Sequence, residues 1–308
     1  MPELPDVEVY VRAIAARTLG RPLRGLRVAS PFVLRTVEPP AAAFTGRAVT
    51  GVRRIGKRIA LAFEGDLHAV VHLMISGRLH WKPAGVRLAG RAALAAFDFD
   101  EGSLTLTEAA TRKRASLHLV LGEAAVLAMD AGGVDPTGCS DEEFAEALRR
   151  ENHTVKRALT DPRLFSGIGN AFSDEILHRA RLSPAALTQR LDDQRVAALR
   201  VACREVLVEW TERLAAQVGD GFPEKVTAFR PEMAVHGKYD QACPACGSRV
   251  QRIIYAENEC NYCATCQTGG RLLSDRSLAR LLREDWPRTL QELEEMRASH
   301  GARKRKLS

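Results

Sequence analysis

Five of the seven cysteines in this 308-residue chain, Cys243, Cys246, Cys260, Cys263 and Cys266, fall within 24 residues. Four of them follow the spacing C-x2-C-x16-C-x2-C, and no other feature restricts the fold as tightly. Each C-x2-C pair can close into a tight knuckle that presents two thiolates to one ion, and Gly247 permits the turn behind the first knuckle. Between them "RVQRIIYAE" alternates like a strand, which predicts a β-hairpin carrying both knuckles. Four thiolates satisfy a tetrahedral ion and leave no open position, so the pattern predicts one structural Zn2+ held by Cys243, Cys246, Cys263 and Cys266. Cys260 with Cys263 forms another pair of the same spacing; we prefer Cys263 with Cys266 and leave Cys260 free. An odd cysteine total argues against a disulfide framework. A module this small needs the metal to hold together.

The remaining chain is long enough for two or three cores, and its composition, 45% hydrophobic and 27% charged, is that of a globular protein. No run of 18 apolar residues is present and the first 30 residues carry charge throughout, so neither a membrane span nor a secretory leader is expected. The net charge is +7 and the isoelectric point about 9.2, a balance that favours a polyanionic partner. Basic residues cluster at Arg53-Arg54-Ile55-Gly56-Lys57-Arg58, at Arg112-Lys113-Arg114, and at Arg303-Lys304-Arg305-Lys306, the last read as a disordered, solvated tail.

Apolar residues Val7, Val11, Ile14 and Ala15 recur at helical spacing, predicting a helix over 6–19. From about Leu23 to Gly122 seven short β-rich runs follow, "LRGLRVA", "AVTGVRRIG", "RIALAFEG", "HAVVHLMIS", "LAAFDF", "SLTLTE" and "ASLHLVLG", separated by turn formers as in an antiparallel sandwich. "MDAGGVDPTGCS" reads as a linker. Ser140 with Glu143 forms a capping box for a helix starting at Asp141, and the chain stays mostly helical to about Gln217. Within it "GIGN" makes a turn between two helices, where Asn170 can cap the second and exposed amides can take a phosphate. Residues 222–240 show no periodicity. A last helical run is expected over 275–298, broken near Trp286-Pro287. The fold class is thus α+β and multidomain: an N-terminal helix with an antiparallel β-sandwich (1–123), a linker (124–139), a helical domain with its following loop (140–240), a four-cysteine zinc hairpin (241–270), and a helical extension with a basic tail (271–308).

Taken in order, MPELP at the start, Arg54-Ile55-Gly56-Lys57 in the β-rich region, "HLMISGRL", "GIGNAFSDEIL" and the four-cysteine hairpin resemble the formamidopyrimidine-DNA glycosylase and endonuclease VIII family, over Pro2 to about Gln267. The resemblance implies a bifunctional DNA glycosylase and abasic-site lyase acting on oxidised or ring-opened bases in double-stranded DNA. Removal of Met1 would expose the secondary amine of Pro2, which attacks C1′ of the deoxyribose and forms an iminium. An α-amino group titrates near pH ~8, so part of it is free at neutrality. Glu3 shuttles protons. Lys57 corresponds to the family's β-turn lysine, which contacts phosphate and assists proton transfer. Met74 corresponds to the side chain that wedges into the space of the extruded nucleotide. Asn170 corresponds to the phosphate-gripping asparagine of a helix–two-turn–helix motif, with Lys156 beside it on the DNA backbone. A monomer, without small-molecule cofactor or membrane partner and working in the cytoplasm on the chromosome, is expected.

Three departures qualify the resemblance. The stretch that supplies further wedge residues in the family is "TEAATRKRA" here and has no aromatic; Arg112 or Arg114 fills that gap. The arginine found five residues before the third metal ligand is replaced by Asn258, which cannot present a cationic fork. This favours β-elimination over β,δ-elimination, or recruits Arg249 or Arg252. The loop over 222–235 is short, so no particular lesion is assigned. A lesion-binding zinc protein of the same fold without turnover is the alternative reading, and a zinc-ribbon scaffold for RNA or protein is a third.

Overall fold

The computed structural model describes residues 1–255, 258–274 and 287–306. It divides into two compact units, one of residues 1–135 and 207–228, the other of residues 136–206 and 229–308.

The first unit opens with helix α1 (Leu4–Thr18). It begins two residues before the sequence expectation, because Glu3 and Asp6 form a reciprocal capping box and a proline lies in the first turn, where its missing N–H costs nothing. Val7, Tyr10 and Ile14 bury one face of α1. Eight strands follow: β1 (Gly25–Val28), β2 (Val49–Ile55), β3 (Arg58–Phe63), β4 (Leu67–His72), β5 (Gly77–Lys82), β6 (Ala93–Phe99), β7 (Gly102–Glu108) and β8 (Ser116–Leu121). They form two antiparallel four-stranded sheets, in the orders β1-β6-β7-β5 and β2-β3-β4-β8. The seven β-rich runs of the sequence correspond to β1–β4 and β6–β8; the fourth extends past β4 into the turn as far as Ser76, and β5 lies in none of them. Leu61, Phe63 and Leu119 of one sheet and Leu79, Phe97 and Leu106 of the other enter one core with Tyr10 and Ile14. Phe44 meets Phe63 edge-on, ring centroids 5.2 Å apart. The opposite face of the second sheet carries Ala60, Val70 and Val120 under Val126 of α2 (Glu123–Leu127). Both faces of β4 are covered, which is why "LHAVVH" is apolar without clean alternation.

The second unit contains α3 (Asp141–Arg149), α4 (Val155–Thr160) and α5 (Asn170–Arg179). Ser140 and Glu143 cap α3 as expected, and Thr154 caps α4. Asn170 is not a cap: Gly169 takes that position, and Asn170 is the first residue of α5. Phe144 and Phe165 pack with centroids 4.8 Å apart over buried Leu148, Leu159 and Phe172. Helix α6 (Asp193–Val218) is divided between the two units. The hairpin β9 (Val250–Tyr255) and β10 (Asn258–Cys263) pairs in antiparallel register, and α7 (Ala264–Thr268) follows directly. Of the expected run over 275–298, residues 275–286 lie outside the described residues. Residues 287–289 precede helix α8 (Leu290–Lys306), which takes up the remainder and continues beyond it, so the backbone of the basic stretch 303–306 is helical rather than an irregular tail. Arg297 anchors α8 to Asp240 Oδ1 (2.9 Å) and to the Tyr239 hydroxyl (3.2 Å).

Candidate active site, DNA-facing residues and metal centre

The amino-terminal end of α1 gathers Pro2, Glu3 and Lys57 in the first unit. Pro2 is buried beneath an exposed Met1, and Glu3 is only 4% exposed. The Glu3 backbone N–H donates to Asp6 Oδ2 at 2.9 Å while its carboxylate caps the helix. Lys57 lies in the turn between β2 and β3, which Gly56 enters at φ +57°. Burial holds the amine of Met1, the residue ahead of Pro2, below its usual pKa, opposed by Glu3 and aided by Arg78. Burial also lowers the Lys57 ammonium, again opposed by Glu3. An amine freed at Pro2, a buried carboxylate and a lysine with reduced proton affinity can carry out nucleophilic addition coupled to proton transfer.

The β4–β5 turn places two neighbours differently. Met74 has φ +53° and is half-buried, whereas Ile75 at the tip is 54% exposed. Gly77 closes the turn by donating its N–H to Leu73 O (2.8 Å), and a Cβ there would stand 2.3 Å from that oxygen. Sequence reading passed over Ile75; the signal was present as an apolar residue inside a turn, but the left-handed backbone at Met74 could not be read. On the β3–β4 pair, Arg58 and His72 occupy partnered positions and so share a face. Burial, then Arg58, Lys57 and His118, hold the His72 imidazole down to about 4. Arg112 and Arg114 project exposed from the β7–β8 loop. That loop is pinned beneath them by buried Glu108, whose Oε2 accepts from Arg114 N (2.8 Å) and Ala115 N (3.0 Å).

In the second unit Lys156 and Asn170 are neighbours, as expected, but Lys156 is committed inward. Its Nζ donates to Asn170 O (2.9 Å), Ser173 Oγ (3.0 Å) and Asp174 Oδ1 (2.5 Å). The other carboxylate oxygen of Asp174 pairs with His236 Nδ1 (2.8 Å) and accepts from Asn261 N (3.1 Å). Adjacent Glu175 accepts the backbone N–H groups of Ala234, Val235 and His236, each within 2.9 Å, and so organises the segment entering the hairpin. Asn170 Nδ2 donates to Glu259 O on β10 at 2.8 Å.

Cys243, Cys246, Cys263 and Cys266 converge, with all four sulfurs within 4.8 Å of one another. Two of the separations are 3.4 Å (Cys246–Cys263) and 4.0 Å (Cys243–Cys266). Tetrahedral coordination with metal–sulfur bonds of about 2.3 Å requires sulfurs about 3.8 Å apart, so the four thiols fit a single ion. Cys260 is buried outside the group, near Asp174 and Lys156. His178, on the last turn of α5, brings its Nε2 to 3.2 Å from Cys243 Sγ.

Comparison with known proteins agrees with this architecture. The formamidopyrimidine-DNA glycosylase N-terminal domain model matches residues 1–119, and the H2TH domain model of the same glycosylase matches residues 133–219. The formamidopyrimidine-DNA glycosylase of Thermus thermophilus is 32% identical over 88% of this chain and all of its own length. That of Solibacter usitatus is 29% identical over 87% of this chain and 99% of its own. The Lactococcus lactis Fpg, solved as a complex with DNA containing an abasic site, has the same fold, with a TM-score of 0.76 at 24% identity over 86% of this chain and 99% of that one. The chain belongs to the formamidopyrimidine-DNA glycosylase family.

Proposed function

We propose that this protein is a bifunctional DNA glycosylase and abasic-site lyase that removes oxidised or ring-opened bases through the amine of Pro2. Family membership supports a DNA-repair glycosylase acting on damaged bases; the finer reading rests on the amino-terminal geometry. The observation that carries it is the convergence of buried Pro2 with buried Glu3 and with Lys57, whose ammonium is destabilised by burial. Once Met1 is removed, the Pro2 nitrogen bonds to C1′ and the base departs with the electrons of the glycosidic bond, taking up a proton. The sugar ring opens as O4′ accepts a proton relayed by Glu3, giving an iminium. The iminium acidifies the 2′ carbon. Loss of a 2′ proton, assisted by Lys57, expels the 3′ phosphate and cuts the strand.

Around this centre, Ile75 takes the wedge role that the resemblance gave to Met74, because its apolar side chain is the one presented at the turn tip. Arg112 and Arg114, exposed on their loop, and Asn170 at the start of α5 contact the DNA. Lys156 positions Asn170 from behind. The cysteine cluster holds one Zn2+, which organises the hairpin and takes no part in the reaction, since four thiolates leave it no open site. The 1–123 segment carries the chemistry, and the helical and hairpin segments grip the strand.

Borohydride reduction in the presence of abasic-site DNA tests the proposal. A covalent adduct is expected with the processed chain and not with a chain that retains an N-terminal extension. An adduct that survives blocking of the terminus refutes the Pro2 assignment. Tight lesion binding without adduct or base release would favour a non-catalytic lesion-binding protein instead.

A further inference from the structure

Helix α5 meets the hairpin at three points along its length. Asn170 Nδ2, at its first residue, donates to Glu259 O (2.8 Å). Asp174 Oδ2, one turn on, accepts from Asn261 N (3.1 Å). His178 Nε2, in the last turn, lies 3.2 Å from Cys243 Sγ. The first two contacts reach backbone groups of β10, while the third reaches one of the four clustered sulfurs directly. Cys243 is 2% exposed, and its own backbone N–H is spent on Ser248 O (2.8 Å). A metal-bound cysteine is a thiolate and can only accept a hydrogen bond, so the ring nitrogen facing it must carry the proton.

We propose that His178 is a positioning residue of the metal centre, donating an Nε2–H···Sγ hydrogen bond to Cys243 and thereby fastening the C-terminal turn of α5 to the ion. The inference rests on the reading that the cluster holds a metal. Its consequence is mechanical: the ion fixes one end of the helix whose other end presents Asn170. Groups that hydrogen-bond to metal ligands set ligand orientation and basicity, and losing one weakens metal affinity about 10–100-fold.

The test uses the full-length metal-loaded protein. Metal content is measured first; a wild type that binds no metal defeats the metal reading and the inference with it. In protein exchanged with 113Cd, a scalar coupling between the metal and the His178 Nε2 proton is expected across the hydrogen bond, and metal bound without that coupling overturns the inference alone. His178→Phe, which fills the space but has no donor, should transfer zinc to a chromophoric chelator about 10-fold faster. In the Co2+ form, its sulfur-to-metal charge-transfer band should move to lower energy, because a thiolate without its donor is a stronger electron donor. His178→Gln keeps an N–H and should stay close to wild type in both measurements. A His178→Phe protein that matches wild type would mean that the ring only fills space, and a His178→Gln protein as impaired as His178→Phe would likewise remove the hydrogen-bond role.

Discussion

Lys156→Met separates two roles that one lysine beside Asn170, the proposed phosphate contact, can play. Asp174 is fully buried in the native state and the Lys156 side chain is 14% exposed, with 2.5 Å between Nζ and Oδ1. Methionine conserves the stem and deletes all three donated hydrogen bonds. Oδ1 then has no cation, while Oδ2 keeps His236 and Asn261 N. Removing one partner of a buried pair costs about 3–5 kcal/mol. The remaining imidazole and amide contacts place this case at the low end, near ~3 kcal/mol. The assay is guanidinium unfolding of Lys156→Met, Asp174→Asn and the double variant. A cycle should give a coupling of about 2 kcal/mol, because a neutral side chain at position 174 no longer needs the ammonium. If instead Lys156 reached a DNA phosphate, Lys156→Met would leave stability within about 0.5 kcal/mol and reduce the slope of log K against log salt by about one. That result would refute the inward assignment.

Three further outcomes are expected. The His72 imidazole, held near 4 by burial and neighbouring cations, excludes in the folded state a proton that the unfolded chain accepts below about 6.5. Stability is therefore full above that pH and declines as pH falls toward 4, by about 1–2 kcal/mol at pH 5 allowing for solvent screening; unfolding titrations should show His72→Gln losing this dependence, and equal losses in both proteins would contradict it. Ile75→Ala should slow base excision from duplex DNA about 10-fold while sparing cleavage of a pre-formed abasic site in single strands, and Met74→Ala should do less; the reverse order would restore the wedge to Met74. Arg249 pairs with Asp240 (3.3 Å), and Arg252 pairs with Glu259 (3.3 Å) and stacks 4.1 Å over Tyr239. Both are paired with carboxylates of this chain, so gel analysis should show β-eliminated ends, and a clean 3′-phosphate from an Arg249→Ala/Arg252→Ala double variant would overturn that view.

What could be read from the sequence depended on how local its cause is. The four-cysteine cluster is a matter of spacing over 24 residues, and the capping box at Ser140 spans four, so both were legible. The strands that alternate or run apolar were found. β5 was not, because the fourth run closes at Ser76 and "GRLHWK" offers only Leu79 and Trp81 as apolar residues. The Met74 and Ile75 distinction turns on a single backbone dihedral. Lys156 looked like a DNA-facing cation because its counter-ion, Asp174, is 18 residues away and becomes its neighbour only when α4 packs on α5. His178 and Cys243 are 65 residues apart, and no periodicity or motif joins them. Long-range polar pairs of this kind are decided by packing, and a single sequence contains no local trace of them.

The opening residues show why the fold and the proposed chemistry cannot be assigned to separate parts of the chain. Glu3 is both the cap that starts α1 and the acid beside the amine. Asp6 bonds back to the Glu3 N–H, and proline in the first turn fixes where the helix begins, so the sequence dictates the position of its own terminus. The N-terminal end of a helix carries partial positive charge, which favours an ionised carboxylate and disfavours a protonated amine. Burial is the largest influence on the Met1 amine that precedes Pro2, and the helix end acts in the same direction. One local device thus both starts α1 and sets the residue of the proposed nucleophile, Pro2, next to a buried carboxylate. The same arrangement explains why Glu3 is buried when most glutamates are not: its desolvation is offset by backbone N–H groups that would otherwise have no partner.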